Sequence, residues 1–345
     1  MRILKANWYP PHSEELQLLY GERVTFDIDP IPADPAYRIA RERSRAADAL
    51  INCSATHLLP AAIDDFENVR IVVREGVGYD NLDLAGWGAR GIPVCNVPDY
   101  GTTEVADHAI ALMLALTRGT ASYGEALRRD PVANWRFSLA PLIRRHKGAT
   151  FGIVGLGRIG LAAARRAAAF DMRVLFFDPY LPNGAELSVG YERVHSLAAL
   201  MAASDIVSLH TPLSEETRGF VGEAALAAAK PGLVLVNTAR GPIVDLDALH
   251  QALKDGRVAG AGLDVLPREP ADPEHPLIRA WMARESWLDG RLILTPHAAF
   301  YSPAAMRDMQ RKAVEVILAY LDDGRLTNCV NRDFLKTSAP MRRAS

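Results

Sequence analysis

The sequence predicts an α/β protein built from two domains, each a parallel sheet with helices on both faces. Three observations predict it. First, 345 residues exceed the roughly 250–300 at which a single hydrophobic core stops growing, so two domains are expected. Second, short apolar runs alternate with helix-forming segments along both halves of the chain, and such alternation builds parallel sheets covered on two sides. Third, an apolar run at Phe151–Val154 enters the turn Gly155-x-Gly157-x-x-Gly160. A helix former follows, and a second apolar run ends at Asp178.

In chain order, residues 1–98 carry strand candidates at Arg2–Ala6, Arg23–Asp27, Ala49–Cys53, Val69–Arg74 and Ile92–Cys95. Helices are expected at Arg38–Ala47 and Leu59–Phe66, with a proline-rich loop at Pro30–Pro35. Thr102–Thr117 reads as a long helix, because threonines can cap its start and Glu104 complements the positive helix end. Apolar residues occupy most of its circumference, which predicts burial between domains or subunits. Together with the basic, turn-rich segment Arg128–Lys147 it is expected to carry an inter-subunit contact in a homodimer.

From Phe151 onward the alternation is regular. Strands are expected at Phe151–Val154, Val174–Asp178, Ile206–Leu209, Leu233–Asn237, Gly260–Asp264 and Leu292–Leu294, a doubly wound sheet of six. The intervening helices are Leu161–Phe170, Leu197–Ala203, Glu223–Ala229 and Asp245–Lys254. A last helix, Ser302–Asp322, opens with Ser-Pro and closes near Gly324, and is expected to lead the chain back to the first domain. The organisation predicted is therefore a discontinuous substrate domain, 1–98 with 302–345, and a dinucleotide-binding domain at 99–301. The polar tail Lys336–Ser345 is expected to be frayed.

Composition narrows the function. Hydrophobic residues at 49% and charged residues at 23% are ordinary for a soluble globular protein, and a net charge of −2 offers nothing to nucleic acid or an anionic membrane. Three scattered cysteines, Cys53, Cys95 and Cys329, suit neither a disulfide framework nor a cysteine zinc site, and no histidine pair has metal-ligand spacing. The N-terminus lacks the apolar core of a signal peptide, and no uncharged run reaches the roughly 18 residues that span a bilayer. A cytoplasmic location is expected, with no metal.

The glycine turn points instead to a dinucleotide. Gly155 permits the tight turn, Gly157 lets backbone approach a pyrophosphate, and Gly160 lets helix and strand pack closely in a Rossmann-like unit. The helix start offers free N–H groups to the anion. Asp178 stands where a carboxylate accepts hydrogen bonds from the adenosine ribose.

Five stretches in order carry a family resemblance from about Val69 to Asn331. Arg74-Glu-Gly-Val-Gly-Tyr-Asp-Asn81 precedes the glycine turn. Leu209-His-Thr-Pro-Leu-Ser-Glu-Glu-Thr-Arg-Gly219, Val236-Asn-Thr-Ala-Arg-Gly241, Gly262-Leu-Asp-Val-Leu-Pro-Arg-Glu-Pro270 and Leu294-Thr-Pro-His297 follow it. The chain resembles the D-isomer-specific 2-hydroxyacid dehydrogenases. Phe176–Tyr180, His297–Ser302 and Asn328-Cys-Val-Asn331 resemble its C-terminal-binding-protein branch, which combines the fold with transcriptional corepression in animals.

The resemblance implies an NAD-dependent enzyme acting in the interdomain cleft on a small 2-keto or 2-hydroxy carboxylate. Arg240, Glu269 and His297 are the catalytic set it implies. The guanidinium of Arg240 suits a carboxylate and its neighbouring carbonyl, and a histidine beside a carboxylate suits proton delivery. Arg158 and Ile159 would offer N–H groups to the pyrophosphate. Thr211 and Pro212 would line the adenosine side, Thr238 and Ala239 the nicotinamide ribose, and Asp264 would hold the nicotinamide amide. Because Asp178 repels a 2′-phosphate, NAD is expected over NADP.

On the substrate side, Val77 and Gly78 would donate backbone N–H groups, and Ser54 and Phe300 would line the pocket. Arg74 is either a second substrate cation or a strand-end surface charge. Phe300 stands where the corepressor branch tends to carry tryptophan. Two other readings are open on the same fold: an NAD(H)-responsive corepressor-like binding protein with vestigial catalysis, and a phosphite- or formate-type dehydrogenase.

Overall fold

Runs of apolar residues only four to six long cannot bury both faces of a helix, but they fill a parallel strand covered on two sides. A computed structural model describes residues 1–6, 13–29, 37–53 and 60–335. Ser54, the expected loop at 30–35, the first residue of the helix expected from Leu59 and the tail from 336 lie outside the described residues. The chain divides into two units, Met1–Gly101 with Ser302–Ser345, and Thr102–Tyr301.

The first unit holds strands β1 (Arg2–Ala6), β2 (Thr25–Asp29), β3 (Ala49–Asn52), β4 (Val72–Arg74) and β5 (Val94–Asn96) in the order β2-β1-β3-β4-β5, all parallel. Alternate residues face opposite sides. Ile3, Ile51 and Val73 join Val314 and Ile317 of the helix Pro303–Asp323, while Leu4, Leu50 and Val72 join Phe66 and Trp87 on the other face. That helix starts where the Ser302 hydroxyl accepts from Ala305 N–H at 2.9 Å and stops at left-handed Gly324. The register sets Asn52, Arg74 and Asn96 side by side at the C-terminal edge of the sheet.

The second unit is a seven-stranded parallel sheet: β6 (Thr150–Val154), β7 (Arg173–Phe177), β8 (Glu192–Arg193), β9 (Ile206–Leu209), β10 (Leu233–Asn237), β11 (Val258–Leu263) and β12 (Leu292–Leu294), ordered β12-β11-β10-β9-β6-β7-β8. The six strands expected become seven because β8, two charged residues at the edge, is too short to carry an apolar pattern. The fold is α/β, two Rossmann-like domains.

The helix Thr102–Thr117 forms with the bounds expected. Its apolar side packs on the helix Arg158–Ala168 and on β10 and β11 of its own unit, with Leu112 seated over Gly262. Val105, Ala109, Met113 and Leu116 are buried on that side.

Candidate active site

In the second unit, every residue that follows a strand emerges at one edge of the sheet, because the strands are parallel. The winding reverses between β6 and β9, the switch point where such sheets bind ligands. Gly155 follows β6 with φ of 84°, and a β-carbon there would lie 3.0 Å from His210 O and 3.1 Å from Thr211 N, the residues that follow β9. A β-carbon on Gly160 would stand 2.1 Å from Gly155 O, so the helix Arg158–Ala168 could not close on the turn with any other residue. At Gly157 a β-carbon would meet nothing within 4 Å, which leaves the backbone open to a ligand. Arg158 and Ile159 open that helix, whose first intrahelical bond is from Leu161 N–H to Gly157 O at 2.9 Å; their own N–H groups have no carbonyl a turn back to bond.

Asp178 stands one residue beyond β7. Its carboxylate accepts from Leu156 N–H at 2.9 Å and Tyr180 N–H at 3.0 Å, which fixes it against the glycine turn. Thr211 and Pro212 follow His210, and the Pro212 carbonyl accepts from the Thr217 hydroxyl at 2.7 Å. His210 hydrogen-bonds the Ser208 hydroxyl through Nε2 at 2.8 Å, while its Nδ1 is sealed from solvent without a partner among the described residues. Burial pushes this imidazole down to about 4, so it is neutral at physiological pH.

After β10 come Thr238, Ala239 and Arg240. Asn237 ties this turn: its Nδ2 donates to Arg240 O at 2.9 Å and its Oδ1 accepts from Ala239 N–H at 3.0 Å. Arg240 has extended backbone, and its Nη1 donates to Ala239 O at 2.8 Å. Thr238 is buried, and its hydroxyl has no partner among the described residues. An orphaned buried hydroxyl, an open glycine backbone and unpaired helix N–H groups fit a dinucleotide that brings hydroxyl and phosphate groups.

Glu269 and His297 are brought together by the ends of β11 and β12. His297 Nδ1 lies 2.8 Å from Glu269 Oε2, and Glu269 Oε1 accepts from Leu266 N–H at 3.0 Å. Burial works to raise the Glu269 carboxyl. The hydrogen bond and charge of His297, the Leu266 N–H and the charge of Arg240 outweigh it and hold the group below the usual glutamate range. His297 has φ of 52°, and the Phe300 ring meets it edge-on at 6.2 Å. Gly241 joins the Arg240 turn to the Glu269 turn: a β-carbon there would lie 1.9 Å from Leu266 C and 2.4 Å from Pro267 N.

The Asp264 carboxylate is engaged by the loop that carries His297. It accepts from the Thr295 hydroxyl at 2.6 Å, from Ala298 N–H at 2.8 Å and from Ala299 N–H at 2.9 Å. His108 Nε2 reaches the same Thr295 hydroxyl at 3.0 Å. A carboxylate offers roughly four acceptor positions, so a cofactor amide would take what these three donors leave.

In the first unit, Arg74, Glu75 and Gly76 are buried and Val77 and Gly78 half-buried. Asn96 Nδ2 donates to Val77 O at 2.7 Å, and Val97 N–H to Gly76 O at 3.1 Å, so β5 holds the loop. The Arg74 guanidinium folds over Gly76, where a β-carbon would meet Nη1. Arg74 is thus not a strand-end surface charge; it is 6% exposed. Lys5 donates to Glu75, and both are fully buried.

Asn96, His108 and Lys5 escape a motif reading, and Asn237 and Gly241, though inside the stretch Val236–Gly241, receive no role from it. The two asparagines leave one signal, an amide ending an otherwise apolar run in Val94-Cys-Asn96 and Leu233–Asn237. Among the described residues no group of three or more His, Cys, Asp or Glu could hold a metal, and no helix is long and apolar enough to cross a membrane.

Comparisons with known proteins bear on the family and the fold. Residues 110–299 match the D-isomer specific 2-hydroxyacid dehydrogenase NAD binding domain. A glyoxylate reductase of Korarchaeum cryptofilum is 37% identical over 92% of this chain and 93% of its own. A NADPH-dependent glyoxylate/hydroxypyruvate reductase of Sinorhizobium meliloti, solved with NADP and malonate, superposes with a TM-score of 0.82 at 32% identity, covering 98% of this chain and 99% of that one. A D-lactate dehydrogenase of Aquifex aeolicus, solved with NAD and lactic acid, gives 0.78 at 25% identity over 97% and 100%.

Proposed function

The chain belongs to the D-isomer specific 2-hydroxyacid dehydrogenase family and is a nicotinamide-dependent dehydrogenase, and we propose that it reduces a 2-keto acid of the size of glyoxylate or hydroxypyruvate, with NADH preferred to NADPH. The observation that carries the proposal is the His297–Glu269 hydrogen bond of 2.8 Å at the sheet edge that also presents Arg240. His297, oriented by Glu269, delivers the proton to the new alkoxide. Arg240 binds the substrate carboxylate and polarises its carbonyl. When bound, the cofactor supplies the hydride to C2.

The backbone at Gly157, Arg158 and Ile159 holds the pyrophosphate, Thr211 and Pro212 flank the adenosine, and Thr238 and Ala239 take the nicotinamide ribose. Val77 and Gly78 offer N–H groups to the carboxylate, Arg74 adds positive charge on the substrate side, and Phe300 limits the size of the substrate. The cofactor preference rests on Asp178, whose fixed carboxylate accepts from a free ribose 2′-hydroxyl and repels a 2′-phosphate. The relative from Sinorhizobium uses NADPH and that from Aquifex was solved with NAD, so the preference is argued from this chain alone.

The complete Arg240, Glu269 and His297 set, and a relative named glyoxylate reductase, favour a reductase over a corepressor-branch protein. A homodimer is part of the proposal: Val132, Trp135 and Phe137 are 86%, 79% and 93% exposed within one short loop, an apolar cluster that a second copy would cover. The test is NADH and NADPH oxidation across glyoxylate, hydroxypyruvate, pyruvate and bulkier 2-keto acids. The proposal expects kcat/KM to be at least roughly tenfold higher with NADH, one charge-assisted contact's worth. Equal values with NADPH would remove the role given to Asp178.

A further inference from the structure

Two of the three cysteines, far apart in sequence, meet in the first unit. Cys95 is the middle residue of β5, and Cys329 lies in the segment that follows the helix Pro303–Asp323. They form an antiparallel bridge. The framing bonds run from Asn96 N–H to Asn328 O at 3.2 Å and from Val330 N–H to Val94 O at 2.8 Å. Both bonds fall one residue outside the pair, so the cysteines occupy a non-hydrogen-bonded site of the ladder. At such sites the side chains project to the same face from α-carbons about 4.5 Å apart. A disulfide is accommodated by α-carbon separations of about 4.4–6.8 Å, a range that includes the spacing of such a site.

The two thiols differ in exposure. Cys95 is fully buried, whereas Cys329 is partly open to solvent and donates to Asn331 Oδ1 at 3.3 Å in its thiol form. The S–H of Cys95 supports the Cys329 sulfur as an anion, with the Asn331 N–H and the Arg332 charge adding to it, and holds the Cys329 thiol below the usual cysteine range despite partial burial. A partly exposed thiol inclined to ionise, beside a buried resolving thiol, is the arrangement of peroxide-responsive cysteines.

We propose that Cys329 and Cys95 are a reversible thiol–disulfide site whose oxidant is hydrogen peroxide or an organic hydroperoxide. The Cys329 thiolate attacks the O–O bond; the S–O bond forms, and the leaving oxygen departs as water or alcohol after taking a proton. The Cys95 sulfur then attacks Cys329, the S–S bond forms, the S–O bond breaks, and a second oxygen leaves as water. The two sulfurs lose two electrons in all, and the peroxide gains them. A dithiol reverses the change. The bond would clamp the 328–330 segment to β5, whose next residue, Asn96, holds the Val77 carbonyl of the proposed substrate loop.

The test treats the folded, reduced enzyme with hydrogen peroxide and maps its peptides by mass. The expected result is one intramolecular Cys95–Cys329 link, with loss of two hydrogens (about 2 Da), restored by dithiothreitol and accompanied by a higher unfolding temperature. C95S should leave a Cys329 sulfenic acid that dimedone captures, and C329S should show neither product. Because C95S alters a buried position, the wild-type map alone also decides. A peroxide-treated enzyme with both thiols still alkylatable, or with links only through Cys53 or between chains, would overturn the proposal.

Discussion

Each residue given a chemical task is held by backbone as well as by its partner: Glu269 by Leu266 N–H, Arg240 by the Asn237 turn, and His297 by Asp264 O through its own N–H. Such preorganisation predicts losses in turnover rather than in folding. His297→Ala should lower kcat by roughly 10²–10⁴-fold, the usual contribution of a positioned general acid. Arg240→Ala should lower kcat/KM by roughly 10–100-fold or more, from loss of a charged bond. Near-native turnover in either variant would refute the roles. A pH effect belongs to His210. Its folded pKa lies below the ordinary histidine value, so the unfolded chain binds a proton that the native site refuses. Stability is therefore lost as pH falls from about 6.5 toward about 4, with a slope of at most about 1.4 kcal/mol per pH unit. Denaturant titrations across that window should show a shallower slope for His210→Gln; an unchanged slope would contradict this. Residues whose chemistry restricts their type were legible in the sequence. Asn96 and Asn237 were not, because their partners are backbone atoms that only the fold supplies.

At the scale of elements, the Arg240 turn and the Glu269 turn touch through Gly241, with no room for one methyl group. Because the obstructing atoms are backbone, Gly241→Ala should cost about 1–3 kcal/mol, the range for overpacking. It should also reduce kcat, since Leu266 N–H positions Glu269. Equilibrium unfolding with steady-state rates would check both, and a variant with native stability would show the turns to be less closely joined. The exposed loop beyond the helix Thr120–Arg129 makes a separate prediction. Trp135→Ala with Phe137→Ala should shift the protein from dimer toward monomer in sedimentation; a wild-type monomer would end that proposal. Short, mainly apolar strands such as β9, β10 and β12 and the helix Thr102–Thr117 were legible residue by residue. The edge strand β8 and the helix Leu84–Ala89, which contains two glycines, were not, since their stability comes from neighbours rather than from pattern.

For the whole molecule, strands and helices in alternation dictate two parallel sheets, and the parallel arrangement delivers Asp178, Thr238, Arg240, Glu269 and His297 to the C-terminal edge of one of them. This much follows from the order of elements. The choice of substrate does not, because it depends on loops such as Arg74–Gly78, whose shape is set by a buried lysine–glutamate pair and an asparagine from other strands. The central claim, hydride delivery from NADH to a small 2-keto acid with D-specific outcome, is tested most directly by incubating the enzyme with NADH and hydroxypyruvate and determining the configuration of the product. The account predicts stoichiometric NADH oxidation and glycerate of the D configuration. L-Glycerate, or no turnover of hydroxypyruvate or glyoxylate with either nicotinamide cofactor, would contradict it.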